Sequence, residues 1–170
     1  NDRSTGRSPI WSSAMSGDVA AVNMLLAAGA GPQSTDDEYG LTPLIVCAMN
    51  GADECVASLL AAGADAAFVS PSGASALIAA AQRGHVQSVE LLLKTGQVHP
   101  LAENPHGATP WSLANEGHMD EVVAVMEEWL KTNQWDTISA TRHVPLDVKY
   151  VVVDVETHDW NTFQYNDHSK

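Results

Sequence analysis

Apolar residues in this chain come in short blocks closed by glycine. Residues 44–49 form one block, ended by Gly51; Val56, Leu59 and Leu60 form the next, at helical spacing, ended by Gly63. This pair of blocks is one of four. The segments Gly6-Arg7-Ser8-Pro9-Ile10, Gly40-Leu41-Thr42-Pro43-Leu44, Gly73-Ala74-Ser75-Ala76-Leu77 and Gly107-Ala108-Thr109-Pro110-Trp111 align, with their first glycines 34, 33 and 34 residues apart. A second glycine follows at Gly17, Gly51, Gly84 and Gly117, and a valine five positions later at Val22, Val56, Val89 and Val122. An apolar pair comes next, at Leu25-Leu26, Leu59-Leu60, Leu92-Leu93 and Val125-Met126; Gly29, Gly63 and Gly96 close three of the units. A fixed period of this length is the signature of a stacked repeat architecture.

Each unit predicts two short helices. Thr42 and its equivalents are N-caps whose hydroxyls accept from an otherwise unpaired backbone N–H. Pro43 suits the first helical position, where its preset φ fits and its missing N–H has no use. Residues 44–49 make a buried face, and Gly51 ends the helix in the left-handed conformation that glycine tolerates best. Residues 53–62 form the second helix, ended by Gly63. One such pair cannot bury its apolar face alone, whereas stacked pairs share a continuous core.

The pattern resembles the ankyrin repeat, which opens on an Asp-x-x-Gly-x-Thr-Pro-Leu motif, has Gly-His between its helices and closes on Gly-Ala-Asp. Asp37-Glu38-Tyr39-Gly40-Leu41-Thr42-Pro43-Leu44 matches the opening, Gly84-His85 and Gly117-His118 the middle, and Gly63-Ala64-Asp65 the close. The resemblance covers about residues 4–130, with repeats near 4–36, 37–69, 70–103 and 104–130, and a C-terminal extension over 131–170. The expected fold is an all-α solenoid of four helix-pair repeats, with a C-terminal appendage containing some β-strand. The family's histidine after Thr-Pro-Leu is replaced by Trp11, Ile45, Ile78 and Ser112. Repeat 3 has Ala76 in place of the proline. Repeat 4 reads as one residue short between Gly107 and Gly117, has Trp129 in place of a closing glycine, and suits a terminal capping unit. Ser12, Ser13 and Ser16 give repeat 1 a polar first helix, as a solvent-facing N-terminal cap needs.

Charge narrows the function. The 170 residues carry 8 basic and 21 acidic side chains, a net charge of −13. A field of that sign repels phosphate backbones, so direct nucleic-acid binding by the repeats is not expected. Two cysteines, Cys47 and Cys55, make no disulfide framework and read as buried structural thiols. No apolar run approaches the roughly 18 residues of a membrane span. The opening Asn-Asp-Arg-Ser-Thr has no leader core and no initiator Met, so an intracellular protein, cytoplasmic or nuclear, is expected, processed or cut from a longer chain. Seven histidines lack metal-ligand spacing: His85 and His118 stand at a structural helix start, while His99, His106, His143, His158 and His168 are scattered. No metal site, phosphate loop or nucleophile elbow is expected, nor any cofactor.

The tail carries the alternative. Residues 148–155 are β-branched and apolar enough for a strand, ending in Asp154-Val155-Glu156-Thr157. A strand delivering Asp-x-Glu resembles the first motif of the DnaQ-like (DEDD) 3′–5′ exonucleases, which implies two carboxylates holding divalent metals. That reading makes the chain the ankyrin-containing front of a nuclease truncated after its first motif. The plainer reading is a hairpin of residues 150–155 against 160–165, with 131–145 folded over the last repeat to bury Trp129 or Trp135.

The favoured function is a non-catalytic protein-interaction module. The resemblance implies contact through loop tips and the concave face of the first helices. Carried over position by position, this selects Glu38, Tyr39, Leu41, Met49 and Asn50 in repeat 2; Ser72, Ala74, Gln82 and Arg83 in repeat 3; and His106, Ala108, Asn115 and Glu116 in repeat 4. Tyr39 and Arg83 are residue types enriched at interface hot spots. Asp36, Asp37 and Glu38, read as a solvated loop tip, favour a basic or neutral protein partner.

Overall fold

The computed structural model describes residues 7–36 and 38–133, which form eight helices in four consecutive pairs. These are α1 (Pro9–Ser16) with α2 (Val19–Ala27), α3 (Pro43–Asn50) with α4 (Asp53–Ala61), α5 (Ala76–Arg83) with α6 (Val86–Lys94), and α7 (Pro110–Glu116) with α8 (Asp120–Thr132). First helices pack on first helices, α1 to α3 to α5 to α7, and second helices follow in the same order. The expected all-α solenoid is what forms. Among the described residues the only β-pairing is an isolated bridge between Val69 and Ser75. The predicted strand over 148–155, with Asp154 and Glu156, lies outside the described residues, as does Trp135.

Each first helix starts as the sequence dictates. Ser8, Thr42, Ser75 and Thr109 accept the backbone N–H of Trp11, Ile45, Ile78 and Ser112 at 3.3, 3.3, 3.2 and 2.9 Å. Ser112 returns the bond in repeat 4, its hydroxyl accepting the Thr109 N–H at 3.0 Å. Such caps are worth about 1 kcal/mol each. At the other end, Gly17, Gly51 and Gly84 adopt φ of 70, 67 and 74°, so that the chain turns directly into the second helix.

Two register slips separate the structure from the sequence alignment. In repeat 4 the N–H of Met119 bonds the carbonyl of Ala114 at 2.9 Å, as Ala52 bonds Cys47 and His85 bonds Ala80, both at 3.0 Å. Met119 therefore aligns with Ala52 and His85, and His118, at φ 55°, occupies the left-handed place of Gly51 and Gly84. Repeat 4 is not short: its glycine sits one position early, in right-handed geometry at φ −79°. Nor is His118 at the helix start; Met119 is the N-cap of α8. The buried Val122 and Met126 accordingly align with Cys55 and Leu59, not with Val56 and Leu60. In repeat 2 the carboxylate that closes the loop is Asp36 rather than Asp37. Its Oδ1 accepts the Leu41 N–H at 2.7 Å and its own N–H bonds the Leu41 carbonyl at 3.2 Å. Ser70 and Asn104 do the same for Ala74 and Ala108 over a loop one residue shorter. Asp36 is 3% exposed, so it is not a solvated loop tip.

The core runs down the middle of the stack. In α3 every residue from Pro43 to Ala48 is buried, and in α5 every residue from Ala76 to Ala81, because each of these helices has a first helix on both sides. A helix apolar all round belongs in such a place. The terminal helices bury fewer residues: Ile10, Trp11 and Ala14 in α1, Pro110 and Ala114 in α7. Ser12 and Ser16 of α1 are exposed, as a solvent-facing end requires. At the far end α8 continues through Lys131 and Thr132, so the first residues of the expected cover extend the helix instead; the rest of that segment lies outside the described residues. Trp129 is half-buried, with the His99 ring edge-on against it at 5.5 Å.

Two predictions follow from these contacts. Because His118 bears a side chain in left-handed geometry, His118→Gly should stabilise the chain by about 1 kcal/mol in urea unfolding. Gly51→Ala should destabilise it by more than that, since a Cβ there would lie 2.5 Å from His85 Nδ1. His99 Nδ1 accepts the Leu101 N–H at 3.1 Å, and burial pushes its pKa down to about 4 from 6.5. The folded state thus favours the neutral ring. Its contribution is complete above about pH 6.5 and declines as the pH falls toward 4. The unfolding free-energy difference between the native chain and His99→Asn should shrink between pH 7 and 4.5.

Candidate functional site

Between repeats 2 and 3 the stack leaves an open groove of about 220 Å³, lined by residues of both repeats. Repeat 2 contributes Tyr39, Leu41, Ile45 and Met49; repeat 3 contributes Ser72, Ala74, Ile78, Ala79, Gln82 and Arg83. Side-chain size explains the space. At matched positions repeat 2 carries Tyr39 and Leu41 where repeat 3 carries Ser72 and Ala74, so a tall wall faces a low one. Ile45, Ile78 and Ala79 are buried, Leu41 and Met49 half-buried, and Tyr39 is 52% exposed.

The Tyr39 wall is braced from behind. Arg7 lies with its guanidinium 4.6 Å from the centre of the Trp11 ring and pairs with Glu38 at 3.7 Å. Trp11 Nε1 in turn donates to the Leu41 carbonyl at 2.9 Å. The neighbouring Glu38 carboxylate, as acceptor and as negative charge, favours the protonated phenol of Tyr39 and holds it above its ordinary pKa. Glu38 therefore acts on the loop behind the groove. A partly exposed ion pair such as Arg7–Glu38 contributes little stability, roughly 0–1 kcal/mol, so its effect is on orientation.

Seven of the expected contact residues line the groove: Tyr39, Leu41, Met49, Ser72, Ala74, Gln82 and Arg83. The others lie elsewhere. Asn50 donates to the Met15 carbonyl at 3.0 Å and ties repeat 2 to repeat 1. His106 Nε2 lies 3.3 Å from the Ser72 carbonyl, and Ala108 is held by Asn104. Asn115 and Glu116 are exposed on α7, where the corrected register aligns Glu116 with Met49 and Asn115 with the buried Ala48. Sequence reasoning missed Ile45, Ile78 and Ala79 as lining and Arg7 as a brace. The signal for Arg7 was present, since it follows its glycine as Leu41, Ala74 and Ala108 follow theirs.

Nothing in the groove is a reactive group. Cys47 and Cys55 are free and fully buried on α3 and α4, and burial raises both thiol pKa values. Among the described residues no cluster of His, Cys, Asp and Glu is arranged to hold a metal ion, and no helix is long and apolar enough to cross a membrane.

Comparison with known proteins agrees with the helix-pair stack. Residues 1–69 and 54–127 each match the family model described as ankyrin repeats in three copies. The chain belongs to the ankyrin repeat family. Ankyrin repeats serve in general as protein-interaction scaffolds rather than as catalysts, which suits a groove without reactive groups. The ankyrin proteins it is similar to include Inversin from Canis lupus familiaris, Homo sapiens and Mus musculus. Each is 27% identical over 139 residues, which is 82% of this chain and 13% of the relative. The chain thus spans about an eighth of the length of the curated relatives it matches. Within the ankyrin unit, the buried thiolates are disfavoured, so a thiol reagent such as dithionitrobenzoate should label neither Cys47 nor Cys55 until the repeats unfold.

Proposed function

We propose that this chain binds a protein partner through the concave groove of repeats 2 and 3. The observation that carries this reading is the groove itself: an apolar cleft with half-exposed Tyr39 at its mouth, braced by Glu38 and Arg7. Its volume of about 220 Å³ is below the roughly 300–1,000 Å³ of small-molecule sites. It suits one anchoring side chain of a protein better than a cofactor. Large, partly exposed apolar residues gathered at one place are typical of interaction surfaces.

The partner is neutral or basic over most of its contact area, because the chain as a whole carries −13. This long-range preference rests on the whole molecule rather than on Asp36, whose carboxylate is buried in its own loop, or on Glu38, which pairs with Arg7. Direct nucleic-acid binding by the repeats does not fit that charge. An intracellular setting, cytoplasmic or nuclear, fits two unpaired buried thiols.

The test uses the full chain as bait. Proteins captured by the native chain and by the control Glu90→Ala, on α6 away from the groove, should be lost with Tyr39→Ala, with affinity falling about tenfold or more as for a hot-spot aromatic. Equal loss with Glu90→Ala, with the helical signal intact, would remove the groove from the contact.

A further inference from the structure

We infer that the groove receives one large apolar side chain of the partner together with an adjacent carboxylate, which the guanidinium of Arg83 takes. This rests on the reading of the groove as the binding face and adds what chemistry enters it.

Charge pairing supports the inference. Of the four basic side chains in the described residues, Arg7 pairs with Glu38 and Lys94 with Glu90, while Arg83 and, at the end of α8 away from the groove, Lys131 form no ion pair. Arg83, exposed at the last position of α5, makes no hydrogen bond or ion pair within the described residues. The negative end of the helix macrodipole favours a cation there, which accounts for its sign but leaves its five donors unused. The remaining polar lining, Ser72 and Gln82, is neutral, and no acidic side chain lines the groove. Arg83 is thus the one charged side chain in the lining, across the groove from a Tyr39 wall that has Glu38 and Asp36 beside it. An Arg guanidinium fits a carboxylate bidentately, and these charge-assisted bonds are about twice as strong as neutral ones.

Geometry sets the companion group. Ile45, Ile78 and Ala79, the buried lining, offer only apolar surface, and Leu41, Met49 and Ala74 continue it. The space of about 220 Å³ holds one large side chain, not a run of them. Arg83 and the apolar residues line the same cleft, so the carboxylate belongs close in sequence to the anchor. A partner segment with one apolar anchor and one nearby Asp or Glu, in an otherwise neutral or basic stretch, satisfies both the groove and the overall field.

The experiment pans a phage-displayed library of random 12-residue peptides on the immobilised full chain and measures selected peptides by fluorescence anisotropy. Enriched peptides should share a Leu, Met or Phe with an Asp or Glu within four positions. Arg83→Glu should weaken them by about tenfold or more, and Ala74→Met, which fills the groove, should abolish binding. Ala108→Met, at the matching position of repeat 4, is the control. Tyr39→Ala serves as the second groove variant should Ala74→Met lose its helical signal. Peptides lost with the groove variants yet indifferent to Arg83→Glu, or enriched in Lys and Arg beside the anchor, would overturn the carboxylate inference and leave the groove as the binding face. Peptides indifferent to every groove variant, or no enrichment, would overturn both.

Discussion

A pair of helices of 7 to 13 residues each has too little apolar surface to hold itself folded, so everything in this molecule depends on one pair lying against the next. Residues 43–48 of α3 and 76–81 of α5 are buried because each helix has a first helix on both sides, with α1 and α7 at the outer flanks. Polar ties keep the same period. Trp11 reaches the Leu41 carbonyl, Asn50 the Met15 carbonyl, His85 the Met49 carbonyl and Asn104 the Gly73 carbonyl, at 2.9 to 3.2 Å. Each carbonyl lies in or beside a loop or a helix end, where intrahelical partners run out. Stacking therefore satisfies the termini that the short helices leave open, while it buries their faces.

The repeat, its helices and their caps were legible in the sequence because each is carried by residue types with narrow conformational roles. Thr42, Pro43 and Gly51 mean the same thing wherever that order occurs. What was not legible was register at two places where a second residue can take the role. Asp36 and Asp37 are chemically equivalent neighbours, and only the hydrogen bond to Leu41 distinguishes them. Gly117 looked like the left-handed residue by identity, yet the turn required that geometry one position later and forced it on His118. Residue identity marks a preference, while the hydrogen-bond count around the turn decides the position.

The groove was half legible for a related reason. Its rim residues, such as Tyr39, Met49 and Arg83, occupy positions that repeat alignment identifies as outward-facing. Ile45, Ile78 and Ala79 follow the core pattern and read as interior, which they are. They become lining only because Ser72 and Ala74 are too small to cover them. That is a property of two neighbouring repeats compared with each other, invisible in either alone. Cys47 and Cys55, by contrast, read correctly as interior from sequence because each falls on the apolar register of its helix, Cys47 within the run from Leu44 to Ala48 and Cys55 with Val56 and Leu59.

The reach of the side-chain ties has a mechanical consequence. The side-chain hydrogen bonds that join one repeat to the next connect residues 30 to 36 apart in sequence, and the helix packing follows the same nearest-neighbour order. A pull on the chain ends is thus carried through successive repeat boundaries in series and not shared across a parallel set of bonds. The flanking pairs, with a neighbour on one side only, should let go first, and α3 and α5 last. Tension would shorten the solenoid from its ends inward, and the groove between the two central repeats would outlast the units around it.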